Sequence, residues 1–427
     1  MINIIRGCVI MYYFGLFIVI LTAIAIIKRW ETRMVLFAAG MIMAIASGNF
    51  TAGIDAFVKG MTNGGLVPVV CTVMGFAFVM KATKCDAHMV HLIVGVIAKF
   101  RIILIPISVI ITFLVNIALP SAAGCSAAVG SILIPTMIAA GIHPAVAASA
   151  IMAGTFGGVL SPGGANPPFI AKLAGTDVMT VIAGHSLAAI VCGLIGAISL
   201  FIVAIIRKEH KGYIADNTEA IENENFTVNY LKALVPIIPL ILLILGSKQV
   251  HILPLISVPM AMLIGTILAM LIARSNPQDL CKQFFNGMGH AYGGIMGLII
   301  AAAVFTKGME LIGLTGELIN IMKGSEEIAM FAAAFGPLLI AALSGSGDAA
   351  ILSFNGAITP HAEAFGYSIS DLGSLAFLSG NFGRAMSPVA GAAIVCSQLA
   401  KVDPIEITKR NTPGMIIAAI AAMIIML

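Results

Sequence analysis

Gly154-Thr-Phe-Gly-Gly-Val-Leu-Ser-Pro162 returns as Gly380-Asn-Phe-Gly-Arg-Ala-Met-Ser-Pro388, 226 positions further on. Leu173, Ala174 and Asp177 return at the same offset as Leu399, Ala400 and Asp403. Upstream, Phe57, Gly60, Met61 and Phe78 match Phe284, Gly287, Met288 and Phe305 at an offset of 227, and Ser121 and Pro135 match Ser346 and Pro360 at 225. Isolated Leu or Ala identities between apolar segments mean little. A near-constant register across most of each half marks an internal duplication. The one long polar stretch, 207–228 (RKEHKGYIADNTEAIENENFTV), separates the copies.

The copies are built to sit in lipid. Of 427 residues 60% are hydrophobic and only 10% charged, with a mean hydropathy of +1.07. A soluble domain carries about a quarter charged residues. This composition excludes an ordinary soluble enzyme and a disordered chain. A net charge of +4 without a basic stripe excludes a nucleic-acid binder. No phosphate loop, dinucleotide fingerprint, metal spacing or Ser/His/Asp set appears, so neither an enzymatic role nor a cofactor is expected. The seven cysteines read as small packing residues. Apolar runs near the length of a membrane span (about 20 residues) lie at 11–28, 33–49, 65–82, 143–160, 178–206, 229–247, 255–273, 291–312, 367–400 and 405–427. The first lacks a small-residue cleavage site and reads as a retained helix, with translation starting at Met1 or Met11. Stretches 101–141 and 328–361 are apolar but interrupted midway, which fits re-entrant hairpins.

The fold expected is therefore an all-α polytopic membrane protein with five spans and one hairpin per half. An odd number of spans inverts the second copy relative to the first, the plan of many secondary transporters. The charges agree. Sixteen Lys and Arg residues fall on the linker side, among them Lys28, Arg29, Arg33, Lys99, Arg101, Arg207, Lys409 and Arg410. Six (Arg6, Lys59, Lys172, Lys248, Lys307 and Lys323) fall opposite, and Arg384 is left in the core, which accounts for all 23. The linker side is then cytoplasmic, and both termini face the periplasm.

Four breaks fall at membrane depth: 120–126, 161–168, 344–348 and 380–388. Non-helical backbone there must line protein or a watery cavity. Resumed helices offer unpaired N–H groups to an anion, and freed oxygens can ligate a cation. Pro167 and Pro388 suit the first turn of such helices. The candidate residues for an organic anion are Ser121, Ser126, Ser161, Gly163, Asn166, Ser344, Ser346, Asn381, Arg384 and Ser387, and those for a sodium ion or proton are Asp348, Asn166 and Ser344. An intramembrane arginine is costly unless paired or solvated. Arg384 either takes the substrate carboxylate or forms a structural salt bridge with Asp348. Asp177 and Asp403 read as N-caps, His361 and Glu363 as facing the hairpin's watery mouth, and His143, His185 and His290 as isolated.

SGSGDA at 344–349, NFGRAMSP at 381–388 and LAKVDPIEITKR at 399–410 resemble the DcuC family of anaerobic C4-dicarboxylate carriers. Ser121, Ser126 and SPGGANPP at 161–168 also resemble the divalent-anion/sodium symporters of the wider ion transporter superfamily. The resemblance implies a homodimer in the bacterial inner membrane, each protomer moving an elevator-like transport domain (99–207 and 326–427) against a scaffold (11–98 and 229–325). It implies transport of succinate, fumarate or malate, by exchange or ion coupling. The first tip, SAAGCS, lacks the Ser-Asn-Thr of the sodium-coupled symporters, and Asp348 stands where the family pattern has Asn. Other readings are a carrier of citrate, gluconate or a short-chain fatty acid, and a cation/proton antiporter using Asp348.

Overall fold

Serine, aspartate and proline punctuate this apolar chain and set where its helices begin. Ser121, Asp177, Ser346, Ser368 and Asp403 each accept a hydrogen bond from an amide in the first turn that follows. Both aspartates thus act as the N-caps expected. Pro144, Pro167 and Pro404 occupy first turns, where a missing N–H is harmless.

The computed structural model describes residues 2–28, 30–62, 64, 66–95, 104–214, 227–247, 250–317 and 326–427. Met1, Arg29, Lys99, Arg101, Lys248, Lys323 and linker residues 215–226 lie outside them. The described residues are helical, without strands. The first half holds α1 (Ile2–Ile27), α2 (Thr32–Ala46), α3 (Phe50–Met61), α4 (Val67–Thr83) and α5 (Cys85–Gly95). A hairpin of α6 (Leu104–Ala118) and α7 (Ala122–Ala139) follows, then α8 (Pro144–Gly154), α9 (Asn166–Leu173) and α10 (Val178–Ile206). The second half begins with α11 (Tyr230–Leu234), α12 (Ile238–Leu245), α13 (Val258–Ala273), α14 (Pro277–Ala291) and α15 (Gly297–Leu311). Its hairpin is α16 (Glu326–Ser344) and α17 (Gly347–Ala357), and α18 (Ile369–Met386), α19 (Gly391–Ala400) and α20 (Pro404–Met426) complete the chain.

Apolar runs miss four of these elements, the short α5 and α9 and two more polar helices. The α3 helix is amphipathic and mostly exposed. The α14 helix carries Gln278, Asp279, Lys282, Gln283 and Asn286, and it runs through a π-helical turn at Tyr292–Met296 into α15. Cys281, on α14, is exposed, so it is not the packing residue expected, whereas Cys71, Cys85, Cys125, Cys192 and Cys396 are buried. Among the described residues, Ala122–Ala139, Val178–Ile206, Pro277–Leu311 and Glu327–Ser344 are long and apolar enough to cross a membrane, and α4 bends by 75° into α5. Several runs expected as full spans, such as 33–49 and 255–273, form helices of 10–17 residues instead.

The largest core draws on both hairpins and on α8, α10, α18, α19 and α20. Smaller cores join α2 to α15 around Leu36, Met43 and Phe305, and α4 to α13 and α14 around Phe76, Met262 and Phe284. Packing is reciprocal between the halves. The α2–α15 contact is answered by α4–α13, α4–α14 by α3–α15, α6–α8 by α16–α18, and α7–α19 by α9–α17. Phe156 and Phe382, which hold the same place in the repeated motif, stack with ring centroids 4.7 Å apart.

Arg410 is buried although its neighbour Lys409 is exposed. Its side chain is 2% exposed and reaches Glu209 at 2.5 and 2.8 Å and Glu406 at 2.8 Å. This network ties the segment after α10 to the start of α20. Burial pushes the Glu209 carboxyl up, but hydrogen bonds from Arg410 and Arg207 outweigh it and hold the group below the ordinary carboxylate range. A carboxyl depressed in the folded state stabilises above its unfolded value of about 4.5, and that contribution is lost as pH falls through the folded value. Arg410→Met is expected to cost about 2 kcal/mol, because Glu209 loses both Arg410 hydrogen bonds and keeps only the one from Arg207. Its loss relative to the parent should shrink in acid below about pH 4.5, as thermal melts across pH can measure.

Candidate functional site

The four breaks are shorter than the sequence implies. The α7 helix starts at Ala122, with Ser121 as its N-cap, and α17 starts at Gly347, with Ser346 as its N-cap. Residues 155–160 form a tight 3-10 turn, and only 161–165 separate it from α9. In the second half α18 stays helical through Met386, leaving a break of 387–390. Gly380–Met386 is thus not a break, and Pro388 lies in a turn before α19, not in its first helical turn. Once the helix geometry can be kept, backbone hydrogen bonding in an apolar medium favours extending it. Arg384 consequently projects from an ordered last turn of α18.

Its partners are all uncharged. Arg384 Nη1 donates to Thr155 Oγ1 at 3.3 Å, and Nη2 donates to Thr155 O and Asn381 Oδ1 at 3.2 Å each. Gly347 lets the first turn of α17 lie along the arginine stem. A Cβ there would sit 3.3 Å from Arg384 Cβ. Among the described residues no ion pair joins Arg384 to Asp348, so the structural salt bridge is not formed. Asp348 instead accepts a 2.8 Å hydrogen bond from Asn166 Nδ2, linking the second tip to the first half's resumed helix. Asn166 is 2% exposed and its Oδ1 has no partner, whereas Asp348 is exposed.

The other candidates divide. Ser126 and Ser387 are fully buried with unpartnered hydroxyls. Ser161 is buried and accepts from the Gly163 amide at 3.3 Å. Ser121 is exposed and caps α7. Ser344 accepts from the Ser346 amide at 3.2 Å. On one side, the first tip and Ser161–Gly163 close against Val73 and Phe76, around a void of about 30 Å³. On the other, Ser346 borders a cavity of about 580 Å³ with Arg33, His290 and Gly293. Thr155 is missed by sequence reading because its role is a contact across 229 positions. Nor is His185 an idle histidine. It is fully buried, its ring nitrogens lie 3.2 Å from Ser374 Oγ and 3.0 Å from Val159 O, and it packs edge-on to Phe377. It thereby ties α10 to α18 and to the turn that carries Thr155. Arg384 is thus a half-buried arginine whose hydrogen bonds all go to neutral acceptors, beside the start of α17.

Residues 12–427 match the family described as C4-dicarboxylate anaerobic carrier. The chain belongs to the DcuC family. It is 26% identical over 444 residues to the anaerobic C4-dicarboxylate transporter DcuC of Escherichia coli K12, covering 96% of this chain and 95% of that one. A Haemophilus influenzae protein described as an uncharacterized transporter is 38% identical over 279 residues, which is 63% of this chain and 100% of the other. The fold resembles the solved structure of Neisseria gonorrhoeae MtrF, described with a class of antimetabolite efflux pumps, at a TM-score of 0.66 and 12% identity over 89% of this chain and 85% of that one. This DcuC-family chain is thus a multi-pass membrane protein of transporter lineage.

Proposed function

We propose that the protein carries C4-dicarboxylates such as succinate, fumarate and malate across the bacterial inner membrane. The observation that carries this reading is Arg384, a half-buried cation whose hydrogen-bond acceptors are all neutral. A dicarboxylate would supply the missing negative charge through charge-assisted hydrogen bonds, with the starts of α17 and α19 contributing amides. A cation antiporter gains nothing evident from such a residue. The inverted repeat draws support from the reciprocal packing pairs and from contacts between equivalent positions, Phe156 with Phe382 and Cys192 with Ala418 (192 + 226 = 418). The core that both hairpins share with α8, α10 and α18–α20, into which Met89, Val90 and Ala233 of the scaffold side also pack, supports a transport domain at 99–207 and 326–427, moving as an elevator against a scaffold at 11–98 and 229–325, within a homodimer. Both termini are placed in the periplasm by the charge bias. Uptake into proteoliposomes of labelled mono-, di- and tricarboxylates tests the substrate class. A preference for mono- or tricarboxylates would sink it.

Asp348 and Asn166, with Ser344 nearby in the tip, form the cation or proton site of this proposal. Asp348→Asn keeps an oxygen for the Asn166 amide and removes only the charge. It is expected to abolish uptake driven by a proton or sodium gradient while leaving dicarboxylate exchange intact. Full gradient-driven uptake in this variant would remove Asp348 from coupling.

A further inference from the structure

We propose that Thr155 is a positioning residue of the anion site, holding the Arg384 guanidinium jointly with Asn381 so that its remaining N–H groups are held toward a carboxylate. The inference rests on Arg384 as the carboxylate ligand. Thr155 is 1% exposed and opens the 3-10 turn Thr155–Leu160. Its hydroxyl proton is committed to Met152 O at 2.6 Å, so its oxygen faces Arg384 only as an acceptor. Its carbonyl takes a second guanidinium N–H. The repeat gives this pairing its logic, since 155 + 226 = 381 and the third acceptor is Asn381 Oδ1. Asn381 is itself pinned, its Nδ2 donating to Phe377 O at 2.9 Å. Each half thus supplies one oriented side-chain acceptor from the same repeat position. Three of the five guanidinium N–H groups are used, leaving one on Nε and one on Nη1 for a ligand. The position equivalent to Arg384 is Gly158 (384 − 226 = 158), where a Cβ would already lie 2.7 Å from Asn116 Oδ1. One guanidinium therefore serves the site, and its aim matters more than it would in a pair.

Thr155→Val keeps the carbonyl and the side-chain shape and removes one acceptor. In proteoliposomes with labelled succinate, T155V is expected to raise the half-saturating concentration about three- to tenfold, with a smaller change in maximal rate. Thr155→Ser should restore the parent value, which a purely structural role in packing the methyl group would not do. A T155V with parental half-saturation, beside an Arg384→Ala that loses binding, overturns the role of Thr155 and leaves Arg384 in place. An Arg384→Ala with parental binding overturns the carboxylate reading itself. Should T155V fail to fold, Thr155→Ser and Thr155→Ala are compared, and equal half-saturation in the two overturns the proposal.

Discussion

Arg384→Ala is expected to weaken C4-dicarboxylate binding by about 100-fold while the protein stays folded. Hydrogen bonds to charged groups contribute about 1.5–3 kcal/mol each. Losing two of the weaker kind gives about 3 kcal/mol, or two decades of affinity. The fold should survive because removal leaves no stranded charge. The groups vacated are Thr155 Oγ1 and O, and Asn381 Oδ1, all neutral, and the Thr155 hydroxyl keeps its bond to Met152 O. Had Arg384 been paired with Asp348, the same change would have left a carboxylate behind and cost about 3–5 kcal/mol of stability. Titration of succinate against purified protein, with thermal melts of Arg384→Ala, Asp348→Asn and the double variant, separates the outcomes. A coupling well below that of a buried ion pair is expected, since the two side chains share no hydrogen bond and act on each other only through space. Parental affinity in a folded Arg384→Ala would take the arginine out of the substrate site.

Gly383→Ala should be the most damaging of the small substitutions. A Cβ on Gly383 would run into the Leu338 carbonyl of α16, and one on Gly157 would run into the Phe113 carbonyl of α6. These are equivalent contacts, since 157 + 226 = 383 and 113 + 225 = 338. In each case the obstacle is backbone, which cannot swing aside as a side chain can. The hairpin arm must separate from its neighbouring helix, opening the core around Phe382. Overpacking typically costs 1–3 kcal/mol, and a rigid neighbour puts this case at about 3 kcal/mol or above. Gly184→Ala is the control. It lies in α10 with nothing within 4 Å of a Cβ, and should be neutral or slightly stabilising. A Gly383→Ala protein that melts with Gly184→Ala would refute the close approach.

Patterns carried by neighbouring residues are visible without coordinates. The duplication, the polar linker, the two hairpins and the capping roles of Asp177 and Asp403 all belong to this group. The duplication shows as matches at a fixed offset, and the others depend on composition or on a side chain bonding an amide two or three residues away. The amphipathic α3 and the polar α14 were legible only to a helical-periodicity reading, because averaging over apolar windows erases a helix with one wet face. The length of the second-half break was not legible at all. Gly380, Gly383 and Ser387 look like a loop, yet Gly380 and Gly383 are helical because close helix packing needs them there.

The partner of Arg384 marks the boundary between the two kinds of information. An arginine inside apolar sequence already demands compensation, and from the sequence alone Asp348 and a substrate carboxylate were both available. Electrostatic need does not specify distance. The turn of α18 aims the guanidinium at Thr155 and Asn381, while the start of α17 carries Asp348 to Asn166 in the other half. By itself the sequence determined that a duplicated, strongly apolar chain carries one arginine at membrane depth near four breaks, with its compensating partner left open. Which oxygens surround that arginine was decided only by tertiary packing, because hydrogen bonds of about 3 Å are fixed by where helices from two halves cross.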